Sequence, residues 1–142
     1  MRVFVTGAAG FIGVATTREL LANGHEVVGL ARSDSNVETL TALGAQALRG
    51  SLEDLDSLRR GAAEADGVIH LAFIHDFSKF AENGQIDKRA IEAMGEVMID
   101  TNKPLVVTSG TGLLAPGRLT TEDDPPHSGE APRVSETAAR LL

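Results

Sequence analysis

The 142-residue sequence has no cysteine, no tryptophan and no tyrosine. Without cysteine there is no disulfide framework and no thiolate metal site. That fits a reducing compartment, and a cytoplasmic location is expected. Without tyrosine no phenol can act as a proton donor. Basic residues number 13 against 20 acidic ones, a net charge of −7, and the charge is spread along the chain. No basic stripe is available for nucleic acid, so none is expected as a partner. No apolar run approaches the ~20 residues of a membrane span. The first apolar run begins within two residues of Met1, which leaves no room for a secretory leader. His70 and His75 lie on different stretches with no ligand cluster beside them, so no metal is expected.

What remains is the composition of one ordinary globular domain, 42% apolar and 23% charged. It is large enough to bury a core without staples. Short β-branched runs alternate with longer stretches of helical spacing. Val3–Thr6, Glu26–Leu30, Ala45–Arg49, Val68–Ala72 and Leu105–Thr108 read as strands, the first too uniformly apolar to be half-exposed. Helices are expected over Phe11–Leu21, from the capping box Ser35-Asn36-Val37-Glu38, from Ser51 with Leu52, Leu55 and Leu58 on one side, and over 86–100. Such alternation implies an α/β, Rossmann-type doubly wound parallel sheet of about five strands in the order 3-2-1-4-5. Residues 1–112 are expected to form this Rossmann-type domain. Residues 113–142 are expected to form a proline-rich loop and the start of a helix near Ser135, one without packing partners.

Gly7, Gly10 and Gly13 stand at the first strand-to-helix junction, in Gly7-Ala8-Ala9-Gly10-Phe11-Ile12-Gly13. Gly7 permits a sharp exit from the strand. Gly10 lets a pyrophosphate approach the backbone, and Gly13 allows close packing of the helix. The helix N-terminus then offers free N–H groups and a partial positive charge to phosphates. The loop, with Ala9, Phe11 and Ile12, is therefore a dinucleotide site.

Thr6-Gly7-x-x-Gly10-x-x-Gly13 with Phe11-Ile12 resembles the short-chain dehydrogenase/reductase superfamily, in its extended and atypical, epimerase/dehydratase-like branches. Further segments resemble that family in order. Gly50-Ser51-Leu52-Glu53-Asp54 is similar to its segment beside the adenine, with Ser51 in place of Asp. Asp66–Ala72 is similar to its fourth strand, which places Leu71, Ala72 and the following Phe73 at the cofactor. Val107-Thr108-Ser109-Gly110 is similar to the strand ending in the catalytic Ser or Thr, and Thr121–Pro125 to the loop before the active-site helix. The resemblance implies that later strands and a substrate lobe lie outside these residues.

NAD sites usually carry an acid at the tip of strand two. Here the tip reads Arg32-Ser33, and a guanidinium binds phosphate through paired hydrogen bonds. The expected cofactor is NADP, with NAD possible. The resemblance gives Ser109 the role of orienting a substrate oxygen. The family's Tyr-x-x-x-Lys is missing: Glu136 stands at the Lys position and Pro132 or Arg133 at the Tyr position, according to register. His75, in a cofactor-side loop, is the candidate substitute donor. His70, mid-strand, is expected to be a hydrogen-bonded core histidine. Two functions stay open: an NAD(P)-binding oxidoreductase of unknown small-molecule substrate, or a non-catalytic NAD(P)-binding sensor or regulatory module. These residues alone are expected to bind NADP without reducing carbonyls at an enzymatic rate. The unpaired edge of strand five implies a homo-oligomer.

Overall fold

The computed structural model describes residues 1–110, 117–121, 123–124 and 133–140. The boundary drawn at 112, the Pro132 alternative and most of the proline-rich loop lie outside these residues. β1 (Arg2–Thr6) runs through the centre of a parallel sheet, between β2 (Glu26–Ala31) and β4 (Gly67–His70). β3 (Gln46–Arg49) and β5 (Leu105–Val107) form the edges, so the order is 3-2-1-4-5, as expected. Val3 pairs with Val27, Thr6 with His70, and His70 with Val107. The C-terminal ends of β1, β2 and β4 therefore finish at one level, where ligands of open α/β sheets bind.

Strand alternation divides the core. Val3 and Val5 turn to one face, where Leu40 of α2 (Asp34–Leu43) and Leu20 and Leu21 of α1 (Phe11–Ala22) close over them. Phe4, Val28 and Leu30 turn to the other face, under Leu58 and Ala62 of α3 (Leu55–Glu64) and Ala90 and Met94 of α4 (Phe80–Glu96). The short α5 (Ser135–Arg140) packs on α4 and β5, with Ser135 and Ala138 buried. It therefore has the packing partners that the sequence reading denied it. No helix among the described residues is long and apolar enough to cross a membrane.

Several boundaries differ from expectation for local reasons. α2 starts at Asp34 because the Ser33 hydroxyl, not Ser35, accepts the Asn36 N–H. α3 starts at Leu55 because Asp54 caps it, accepting from the Ser57 N–H at 3.2 Å. Leu52 thus lies before the helix and is buried. β4 ends at His70: the Leu71 N–H makes a last ladder bond to the Thr6 carbonyl, and the Ala72 N–H then turns to the Thr6 hydroxyl instead of a backbone partner. α4 starts at Phe80, six residues early, led in by a 3₁₀ turn over Phe77–Lys79 that Asp76 caps. It stops at Glu96, and Asp100 and Asn102 then adopt positive φ to turn the chain into β5.

Candidate functional site

The glycine loop wraps the end of β1. Gly7 has φ +69°, and a Cβ there would lie 2.9 Å from the Ala72 nitrogen. Backbone conformation and space both exclude a side chain. At Gly13 a Cβ would sit 2.0 Å from the Gly7 carbonyl oxygen, so α1 rests on the loop's own backbone rather than on the sheet. Gly10 is the N-cap of α1 and supplies no side-chain cap. The first amides of a twelve-residue helix therefore point out of the loop without a side-chain acceptor.

In front of those amides lies a cleft of about 700 Å³. That is the size of an ordinary small-molecule site. Gly7, Gly10, Phe11, Ile12 and Gly13 form its middle. Leu30, Arg32, Asn36, Gly50, Ser51, Leu52 and Glu53 line one end, and Leu71, Ala72, Phe73, Ile74 and His75 the other. Phe11 is 99% exposed at the mouth. An uncapped helix start, a loop with no room for Cβ atoms and a two-ended cleft fit a dinucleotide, with the pyrophosphate at α1. Among the described residues no group of His, Cys, Asp or Glu could hold a metal ion.

Three of the expected site residues stand outside the cleft lining. Ala9 packs against the Val3–Val5 side of the core. Ser33 spends its hydroxyl on the α2 cap. Ser109 is half-buried just beyond β5. Leu30, Asn36 and Ile74 line the cleft without having been named for it, and Gly50 and Glu53 line it within the segment likened to the family's adenine-side stretch. Asn36 is legible in retrospect as the residue one helical turn beyond the β2 tip. The acid nearest that tip, Asp34, is ion-paired with Arg49. Arg32 is exposed and has no ion-pair or hydrogen-bond partner among the described residues.

At the other end the aromatic rings gather. His75 meets Phe73 edge-on at 5.6 Å and Phe77 at 6.2 Å, and Phe77 stacks on Phe80. Asp76 sits below the usual carboxylate range, because the Ser78 hydroxyl and then the Ser78 N–H donate to it. Asp124 also sits below the usual carboxylate range, first because of Arg118 and then because of the Thr121 N–H. Arg133, at one of the two candidate tyrosine positions, holds its guanidinium 4.2 Å above the Phe73 ring and donates to the Thr108 carbonyl at 2.6 Å.

Beneath this end His70 is fully buried. Its Nδ1 is 2.7 Å from the Thr6 hydroxyl and its Nε2 3.1 Å from Asp87 Oδ1. Asp87 went unnoticed in the sequence. It carried a signal: a charge at 87 shares a helical face with Ala90, Ile91 and Met94, where a carboxylate is costly unless paired.

The model of the NAD dependent epimerase/dehydratase family matches residues 3–130. An uncharacterised protein of Schizosaccharomyces pombe is 55% identical over 123 residues, covering 86% of this chain and 42% of that protein. A 4-hydroxy-2-methyl-3-oxo-4-farnesyl-3,4-dihydroquinoline-1-oxide ketoreductase of Stigmatella aurantiaca is 40% identical over 72 residues, 51% of this chain and 22% of the enzyme. UDP-glucose 4-epimerase from Bifidobacterium longum, solved with NAD+ and UDP, superposes with a TM-score of 0.75 at 24% identity, over 99% of this chain and 46% of that one. The chain thus spans less than half the length of each of these relatives.

Proposed function

The chain belongs to the NAD dependent epimerase/dehydratase family, and we propose that it holds NADP as the cofactor-binding part of an oxidoreductase acting on a small-molecule carbonyl or alcohol. The observation that carries the cofactor choice is Arg32. It lines the cleft beside Asn36, where the adenosine ribose of a dinucleotide would lie, while Asp34 is taken up by Arg49. A guanidinium and a side-chain amide suit a 2′-phosphate, and the usual ribose-binding acid is engaged elsewhere. Glu53 is the acid left at that end, and it alone would favour NAD.

Gly7, Gly10 and the first amides of α1 would hold the pyrophosphate, and Leu71–Phe73 would flank the nicotinamide. The bound nicotinamide supplies hydride chemistry. His75 lines that end of the cleft and is the residue there that can carry a proton. The ketoreductase named above supports a carbonyl substrate.

The second reading, a nucleotide-binding sensor without turnover, rests on the absence of tyrosine. A positioned acid–base group contributes ~10²–10⁴-fold in rate, and none of phenolic type is present. Loss of NADPH absorbance with a panel of aldehydes and ketones separates the two. Turnover near ~1 s⁻¹ by these residues would remove the sensor reading, and its disappearance in His75→Ala would assign the donor.

The cofactor choice is tested by calorimetric titration of NADP and NAD against wild type and Arg32→Ala. The variant is expected to lose about tenfold in NADP affinity, ~1.4 kcal/mol, with NAD unchanged. Equal NADP affinity in the two proteins would overturn the assignment.

A further inference from the structure

Two adjacent residues of the cleft wall, Ala72 and Phe73, are held by opposite ends of one buried chain of polar groups. From Ala72 the chain begins with its N–H donating to Thr6 Oγ1 at 3.2 Å. The Thr6 hydroxyl lies 2.7 Å from His70 Nδ1, and His70 Nε2 lies 3.1 Å from Asp87 Oδ1. The Ser135 hydroxyl donates to Asp87 Oδ2 at 2.5 Å, and Arg133 Nε donates to Ser135 Oγ at 2.9 Å. The same guanidinium covers the Phe73 ring at 4.2 Å. The path leaves the wall at residue 72, crosses β1, β4, α4 and α5, and returns to the wall at residue 73.

One set of proton positions satisfies every link. Thr6 Oγ1 accepts from Ala72 and donates to Nδ1, Nε2–H donates to Asp87, and Ser135 accepts from Arg133 while donating to Asp87. Thr6, His70 and Asp87 are 0% exposed and Ser135 1%, so water cannot replace a missing partner cheaply. Asp87 draws two of its partners, Ser135 and Arg133 at 3.8 Å, from α5 and its approach. If α5 leaves, His70 alone must satisfy a buried carboxylate, and its ring is no longer held for Thr6. Thr6 in turn fixes Ala72, which touches Gly7 so closely that no Cβ fits between them.

We propose that this circuit makes α5 a positioning element for the cleft. On this view Ser135, Asp87 and His70 set the aperture between the glycine loop and the Ala72–Phe73 wall without touching a ligand. The consequence for cofactor affinity rests on the dinucleotide reading given above; the circuit itself does not. A purely structural cluster would lower stability throughout the fold. The circuit instead predicts a local effect at Ala72, far along the chain from the altered residue, and rescue by any side chain that restores the hydroxyl.

The test uses the 142-residue chain without nucleotide, with amide hydrogen exchange followed by NMR at Ala72 and at the β1–β2 ladder. Ser135→Ala is expected to speed Ala72 exchange by about tenfold relative to the ladder, and Ser135→Thr to return it towards wild type. An unchanged Ala72, a change in step with the ladder, or a failure of Ser135→Thr to rescue would each overturn the circuit. Titration of NADP against the same proteins is expected to show roughly threefold to tenfold weaker binding in Ser135→Ala alone. Equal affinity in all three would overturn the link to the cleft. A wild-type chain that binds neither NADP nor NAD would overturn the functional reading, while the Ala72 data still decide the circuit.

Discussion

The two faces of the sheet solve burial differently. Under α1 and α2 the sheet presents Val3, Val5, Val27 and Ala31, and the buried polar side chain there, Thr17, has a hydroxyl with no partner among the described groups. Under α3 and α4 the side chains are larger, and Thr6, His70, Asp87 and Ser135 are buried with hydrogen bonds to one another. The first face is closed by apolar area and close backbone approach, and the glycine loop lies at its end. The second combines an apolar floor with a polar network beneath one end of the cleft. Hydrophobic packing is non-directional, so it stabilises a face without fixing its rim. Hydrogen bonds in a dry interior fix positions, at a high cost if one is broken.

The sharpest way to break this contrast is Asp87→Ala. It strips His70, Ser135 and Arg133 of a shared partner at once, and stability is expected to fall by about 3–5 kcal/mol. Urea unfolding monitored by circular dichroism measures it, and a loss comparable to an exposed substitution would mean that the network is idle. On the other face the sign reverses. Thr17→Val keeps the shape and removes an unpaired buried hydroxyl, so a gain of about 1 kcal/mol is expected. A loss there would reveal a partner for Thr17 and bring the two faces closer in kind.

The smallest effect lies at the surface, where Asp76 caps the turn leading into α4. Its carboxyl sits below the ordinary value of 3.8 because of its bonds from Ser78. A depressed folded pKa stabilises above the unfolded value and is lost as pH falls through the folded one. The cap is therefore expected to hold at the acid edge, where free carboxylates are already protonating. Side-chain carboxyl NMR gives the titration directly. A midpoint at or above 3.8 would show the cap to be open in solution.

The first face was largely legible in the sequence, and the second was not. Gly7, Gly10 and Gly13 act over a few residues, and β-α alternation is a periodic signal, so loop, strand order and the floor of the cleft follow from local reading. Choosing between Ser33 and Ser35 as the cap of α2 is already harder, since both precede a helical stretch and backbone geometry alone decides. The polar network is beyond local reading. Thr6, His70, Asp87 and Ser135 are brought together by β1, β4, α4 and α5, across separations of up to 64 residues for a single bond. The anomaly of Asp87 on an apolar helical face was visible, but its partners were not. Ser109 was placed by resemblance alone; it stands half-buried just beyond β5, outside the cleft lining.

The uncapped start of α1 has a thermodynamic consequence. Most helices carry their N-terminal acceptor in their own sequence, whereas Gly10 leaves that place to whatever enters the cleft. On the dinucleotide reading, the phosphates complete the helix, and binding and folding become one linked equilibrium. Nucleotide at about 100 times its Kd would add about 2.7 kcal/mol to the stability of the chain, and its Tm would rise with nucleotide concentration. Cellular lifetime would then follow nucleotide supply, since copies that hold no nucleotide would unfold more often.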